Sequence, residues 1–226
     1  MHVFVNAAVS ADGKLSTRRR EQVRISGTED FARVDRLRAD ADAVLVGVGT
    51  VLADDPHLAV DDPALRAARA DRDDPANPAR VVVDSSGRTP TDARVLDDAA
   101  TTYVVVSAAA TDARRRALAD AGAEVVVAGD DRVALDDALP TLADRGVGSL
   151  MVEGGGEIIH SFFAADLVDE LSVYVGSLIL GGRDAPTLVD GDGFVESFPE
   201  LSLDDVRRID DGVLLEYGVV VRSDAG

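Results

Sequence analysis

From Ala79 to Gly156 the chain repeats one grammar: a short valine-rich run, a turn, then a helix-like segment. The runs are "ARVVVDSS", "TTYVVVSAAAT", "AEVVVAG" and "SLMVEGGG". Helix-like stretches near 112–121, at 134–145 and in "EIIHSFFAADL" separate or follow them. Near-continuous apolar strands of this kind are buried on both faces. Their alternation with helices favours a mostly parallel sheet covered by helices on both sides. In such sheets ligands bind beyond the carboxyl ends of the strands.

The flanking segments extend the pattern. "HVFVNAAV" reads as a strand followed by the turn "SADGK". Thr28 to Asp40 reads as a helix, with Phe31, Val34, Leu37 and Ala41 at about helical spacing and Thr28 as its N-cap. "AVLVGVGT" is a strand entering a glycine turn at Gly47–Thr50, and residues 61–78 form an acidic surface loop or short helix. The ending "LSLDDVRRIDDGVLLEYGVVV" reads as two strands joined at Asp-Asp-Gly, which gives the sheet an antiparallel edge. No internal repeat divides the chain, so residues 1–226 are expected to form a single domain.

Composition removes several classes of function. Without cysteine there is no disulfide, thiolate metal site or thiol nucleophile. The three histidines, His2, His57 and His160, have no metal-binding spacing, so no metal is expected, and His160 reads as a packed or solvent-facing residue. Net charge is −19, which disfavours nucleic acid and anionic membranes. The acidity fits adaptation to high salt, and Lys14 is the only lysine among 23 basic residues. No apolar run is long enough to cross a membrane, and no signal peptide opens the chain, so the expectation is a soluble, cytoplasmic protein.

Two glycine segments remain as candidate sites. Gly47 and Gly49 begin like a dinucleotide fingerprint, but Leu52 stands at the third glycine's place, so a structural turn is as good a reading. Thr50, Asp54 and Asp55 follow, and capping or salt adaptation accounts for the acids equally well. "VEGGGE" permits close backbone approach and offers helix N–H groups to a phosphate, or serves only as helix entry. Glu153 can accept bonds from substrate amino or hydroxyl groups, while Glu157 suits the first turn of a helix. No Walker lysine and no Gly-x-Ser-x-Gly elbow is present. Chemistry supplied by a bound nicotinamide suits this inventory.

The blocks "NAAVSADGKL", "RISGTEDFARVDRLRADADAVLVGVGTVLADDPHL", "RVVVDSSGRTP" and "VEGGGEIIHSFFAADLVDELSVYVGSLILGG" closely resemble the riboflavin-biosynthesis reductases. The resemblance runs in order from about Val3 to the C-terminus and is nearest to the free-standing archaeal branch. It implies a dihydrofolate-reductase-like, three-layer α/β fold and no deaminase domain. It also implies reduction of the ribosyl group of a phosphorylated pyrimidine, with NADPH as hydride donor and NADH as the alternative. A homodimer, through the C-terminal strands or "VYVGSLIL", follows from the same likeness, and the acidic, lysine-poor composition points to a haloarchaeal source.

By matching position, the resemblance assigns Thr50, Asp54, Val82, Val83, Asp84, Ser85, Gly154, Gly155, Gly156 and Glu157 to the cofactor. It assigns Asn6, Arg38, Leu58 and Glu153 to the substrate, with Arg38 on the 5′-phosphate. Asn6 replaces a lysine of bacterial members, Arg24 a tryptophan and Asp61 an arginine, so those bacterial roles do not carry over. Lys14 matches the family's turn. Glu153 is the first candidate to stabilise an iminium charge and Asp54 the second, and Glu153 serving only to read pyrimidine amino groups is the alternative. Another heterocycle reductase of the same fold, acting for instance on a pterin, and a non-catalytic nucleotide-binding module are the competing readings.

Overall fold

The computed structural model describes residues 1–220. Among these, nine strands form one sheet: β1 (His2–Ser10), β2 (Ala43–Gly47), β3 (Ala79–Val83), β4 (Thr102–Val106), β5 (Glu124–Val127), β6 (Ser149–Gly154), β7 (Glu170–Gly176), β8 (Leu201–Ile209) and β9 (Gly212–Val219). Their order is β5-β4-β3-β2-β6-β1-β7-β9-β8. Strands β1 to β7 pair in parallel, while β9 and β8 add antiparallel at one edge. The α-helices between them are α1 (Thr28–Asp40), α2 (Val48–Asp54), α3 (Pro63–Ala70), α4 (Asp112–Asp120), α5 (Leu135–Ala143) and α6 (Gly156–Ala164). The sheet has two covered faces, as the valine runs require.

Alternation along β1 shows how the layers form. Val3, Val5, Ala7 and Val9 point into one core, shared with Leu139 and Leu142 of α5 and Ile159 and Phe162 of α6. Phe4 points the other way, into a core containing Met151, Val46 and Leu118, against which Val34 and Leu37 of α1 pack. Burying each large aliphatic or aromatic side chain contributes about 1.5–3 kcal/mol, so both faces are anchored by packing.

Helix α1 departs from its expected design in two respects. Phe31 is 51% exposed, with the Arg24 guanidinium 5.5 Å above its ring. Val34, Leu37 and Ala41 do face the core, but the most deeply buried helix positions are polar: Asp30, Arg33 and Asp35, together with Ala39. Thr28 is the first helical residue rather than the cap, and Gly27 occupies the cap position without a side chain to offer. The cap comes from the β8–β9 turn, where the Asp210 carboxylate accepts the N–H groups of Glu29 at 3.1 Å and Asp30 at 3.0 Å. A Cβ at residue 27 would strike that carboxylate, which explains a glycine at an ordinary φ of −92°.

Removing this cap gives a first test. Asp210→Ala leaves two helix N–H groups without their partner and is expected to lower stability by about 1–2 kcal/mol, read from urea unfolding. An unchanged unfolding midpoint would mean that water replaces the carboxylate without loss.

Candidate functional site

Strands β3, β2 and β6 lie side by side, so their carboxyl ends form a continuous edge. The expected glycine turn after β2 is absent: Gly47 has φ −77° and α2 starts at once, with Gly49 in its first turn. The glycines at the end of β6 do need their freedom, since Gly154 has φ +151° and Gly155 φ +89°. The two segments meet, because a Cβ on Gly155 would lie 3.5 Å from the Thr50 hydroxyl. The first-turn N–H groups of α6, including those of Gly156 and Glu157, have no partner within their own helix. A bare backbone facing a hydroxyl and a helix N-terminus suits a pyrophosphate, so these residues fit a dinucleotide. Gly156 is constrained from behind, where a Cβ would collide with the Thr187 carbonyl and the Asp190 carboxylate.

Glu153 sits at a bulge in β6. Leu45 of β2 pairs with Val152, but the next residue, Val46, pairs with Gly154. The extra residue re-aims its side chain, a common use of bulges beside functional sites. Arg38 of α1 meets it with two parallel bonds, Nε to Oε1 at 2.6 Å and Nη2 to Oε2 at 2.7 Å. The same guanidinium donates to the Ala59 carbonyl at 3.1 Å. Burial opposes the arginine's charge, and Glu153, with smaller help from Asp61 and Asp35, more than offsets it, holding the group charged above its already high range. The structure thus turns Arg38, assigned to a phosphate, towards a carboxylate. Glu153, assigned an iminium, has an arginine on both oxygens.

Asn6 is similarly engaged. Its Oδ1 accepts from Arg33 Nη2 at 2.7 Å, and Arg33 also donates to Asp30 at 2.8 Å and to the Ser172 hydroxyl at 3.1 Å. With Asn6 6% exposed, this cluster lies under α1 and is closed to a ligand in this structure. Polar groups buried so deeply must be paired, which explains the inward-facing charges of α1.

The β3 end divides into parts. Val82 is wholly buried in the core shared with α1, so its side chain is withdrawn from the edge, whereas Val83 is only half-buried. Asp84 is also fully buried, and its Oδ2 accepts from Thr89 N–H at 2.6 Å and Thr89 hydroxyl at 2.7 Å, closing the turn that follows. Arg114 of α4 clamps this turn through the carbonyls of Gly87 and Thr89. Ser85 Oγ accepts from Val133 N–H, tying in the loop after β5. These side chains shape the edge by holding its turn, and Arg88 stands exposed on that turn.

Leu58 is buried with φ +50°, in a loop that Asp35 secures by accepting from the N–H groups of Asp61 and Asp62 at 2.7 and 2.8 Å. Asp54 ends α2 and accepts from Gln22 Nε2 at 2.8 Å. Desolvation raises its pKa above the ordinary value, and the Gln22 bond only partly opposes this. A raised folded-state value means that the folded protein holds this proton more tightly than the unfolded chain. Stability attributable to Asp54 should therefore fall as pH rises through the carboxylate range. Asp54→Asn is expected to flatten that segment of the stability profile, measured by urea unfolding across acidic pH. A parallel shift of the whole profile would contradict the assignment.

His160 is packed rather than poised: its ring lies 5.1 Å from that of Phe194 and fills the space beside Gly191. Among the described residues no cluster of three His, Asp or Glu side chains could hold a metal, and no helix is long and apolar enough to cross a membrane. Two surface hollows lie away from the glycine junction. One of about 480 Å³ includes Gly27 and Asp210, and one of about 520 Å³ lies between α1 and β8. Phosphate capture by a helix end needs exposed N–H groups rather than an enclosed cavity, so the junction remains the better candidate. Arg33, Asp35, Gln22 and Asp210 were not singled out from the sequence.

The family model described as the RibD C-terminal domain matches residues 1–215. A 2,5-diamino-6-ribosylamino-4(3H)-pyrimidinone 5′-phosphate reductase of Archaeoglobus fulgidus is 47% identical over 211 residues, 93% of this chain and 94% of the relative. A reductase of the same name from Methanothermobacter thermautotrophicus is 44% identical over 96% of this chain and 98% of its own length. Among solved structures, RibD of Acinetobacter baumannii superposes with a TM-score of 0.80 at 26% identity, covering 97% of this chain and 58% of that one.

Proposed function

Because this chain belongs to the RibD C-terminal domain family, we propose that it reduces the ribosyl group of 2,5-diamino-6-(ribosylamino)-4(3H)-pyrimidinone 5′-phosphate to the ribitylamino group. The observation that carries this reading is the near-full-length likeness to two archaeal reductases of that name. The dihydrofolate-reductase-like sheet and the glycine junction at its carboxyl edge agree with it. We read residues 1–226 as one reductase unit, a cytoplasmic homodimer adapted to high salt, on the strength of the acidic composition and of edge strand β8, which exposes Leu201, Leu203 and Val206.

In this reading the ribosylamine opens to an imine, C1′ accepts a hydride and the imine nitrogen a proton. Thr50, Gly154, Gly155, Gly156 and the first turn of α6 would hold a reduced nicotinamide, NADPH in this reading, which would supply the hydride. The chain's own contribution is orientation, since positioning reactants can supply on the order of 7–11 kcal/mol of barrier lowering. Glu153, with each oxygen already bonded to Arg38, keeps further lone pairs for the pyrimidine's amino groups. That double engagement favours Glu153 as a reader of the heterocycle over a free counter-charge for an iminium.

The test is loss of reduced-nicotinamide absorbance in concentrated KCl on adding freshly made substrate, with product identified by mass. Ribitylamino product supports the proposal. Folded protein that binds NADPH but leaves the substrate unreduced would move the reading to another reductase or a binding module.

A further inference from the structure

Three consecutive arginines occur twice in this chain of net charge −19: Arg114–Arg116 lie on α4, whereas Arg18, Arg19 and Arg20 lie between β1 and α1. Arg19 and Arg20 and the neighbouring Arg18 sit at the surface on a tight turn. Thr17 N–H donates to the Glu21 carbonyl, Arg20 N–H to the Thr17 carbonyl, and the Thr17 hydroxyl accepts from the N–H groups of Arg19 and Glu21. Arg20 adopts φ +62°, a left-handed conformation uncommon outside glycine. Glu21 follows the run directly in the sequence. Among the described residues, however, none of the three guanidinium groups forms an ion pair with a carboxylate.

The turn is pinned on both sides of the glycine junction. On one side Gln22 bonds Asp54 at the end of α2, four residues beyond Thr50. On the other, Leu15 N–H donates to the Pro186 carbonyl, Lys14 pairs with Thr187, and Lys14 Nζ reaches the Ala185 carbonyl. Thr187 and Asp190 in turn press on Gly156, the first residue of α6. Gly182 abuts Arg18, and its neighbour Arg183 is a fourth arginine, exposed and without an ion pair among the described residues. Anionic ligands approaching an acidic protein are repelled unless a local positive field offsets that charge. Guanidinium groups on a held turn are suited to binding phosphate.

We infer that the Arg18–Arg20 turn, with Arg183, is a phosphate clamp for a reactant bound at the glycine junction. This rests on the reading of that junction given above. The group recognised is a phosphomonoester, which both candidate reactants carry: the cofactor on its adenosine ribose and the substrate at its 5′ position.

The test is equilibrium binding by calorimetry to the full chain in which Arg18, Arg19 and Arg20 are replaced by Ser. Matched probes are adenosine 2′,5′-bisphosphate against adenosine 5′-monophosphate, and ribose 5-phosphate against ribose. We expect the phosphate-bearing member of one pair to lose at least about tenfold in affinity, equivalent to about 1.4 kcal/mol, with its counterpart unchanged. Loss with the adenosine pair identifies the cofactor's phosphate, and loss with the ribose pair the substrate's. Replacing the same three arginines with lysine should recover much of the affinity, and the difference should shrink as KCl is raised. Unchanged binding of both phosphate probes by the serine variant, with its circular dichroism native, would overturn the clamp and leave the junction reading intact. Wild-type protein that binds none of the probes would overturn both.

Discussion

Arg38→Met should destabilise the protein by about 2–4 kcal/mol, because it strands the Glu153 carboxylate in a site built for a pair. The Glu153 side chain is 10% exposed and that of Arg38 21%, so water can restore little of the lost solvation. A carboxylate so placed accepts two bonds from one guanidinium at 2.6 and 2.7 Å, the stronger kind of charge-assisted contact. The diagnostic result is the double variant. Replacing both residues with Met removes the stranded charge as well as the bond, and should cost less than Arg38→Met alone. Urea unfolding of the four proteins closes the cycle. A double variant as unstable as the two single losses added together would mean that the pair does not act as a unit. Activity separates the chemical roles. Glu153→Gln is expected to raise KM for the pyrimidine with kcat held within about tenfold, the pattern of lost uniform binding. A collapse of kcat at unchanged KM would restore Glu153 as the stabiliser of developing positive charge.

Gly155→Val should weaken nicotinamide-cofactor binding by at least about 100-fold, roughly 2.7 kcal/mol, while costing only about 1–3 kcal/mol of stability. Its φ of +89° is one that a β-branched residue adopts only under strain. Strain alone would be a folding effect. The larger effect on binding comes from position, since the added atoms fill the space between the backbone and Thr50 Oγ1, 3.5 Å from the new Cβ. Gly146→Val provides the control. Gly146 has φ +93° and open space around its missing Cβ, but it lies between α5 and β6 at the opposite edge of the sheet. It should lose comparable stability and leave nucleotide affinity unchanged. Equal loss of affinity in both variants would assign the effect to global loosening instead of the junction.

The layered sheet was legible because periodicity is local. "VVV" runs, helix-length spacers and the Asp-Asp-Gly hairpin each report on their own neighbourhood, and β3 to β9 fall where those signals stand. The glycines of "VEGGGE" were legible for the same reason, since positive φ is a property of single residues. Likeness to known sequences then supplied names for positions, though not their surroundings.

Partnerships between distant charges were not legible. Nothing within the sequence of α1 reveals that Arg38 reaches a residue 115 positions away, that Arg33 reaches Asn6, or that Asp210 caps a helix 180 positions earlier. Thr28 was the better local cap, yet the β8–β9 turn supplied a carboxylate in its place. The bulge at Glu153 was equally hidden, because it is a relation between two strands. By itself the sequence determined which segments become strands and helices and where the backbone must be bare, since sterics and hydrophobic period act over a few residues. Only the tertiary structure decided which carboxylate each arginine meets, because the Coulomb and hydrogen-bond terms that select a partner depend on distances created by folding.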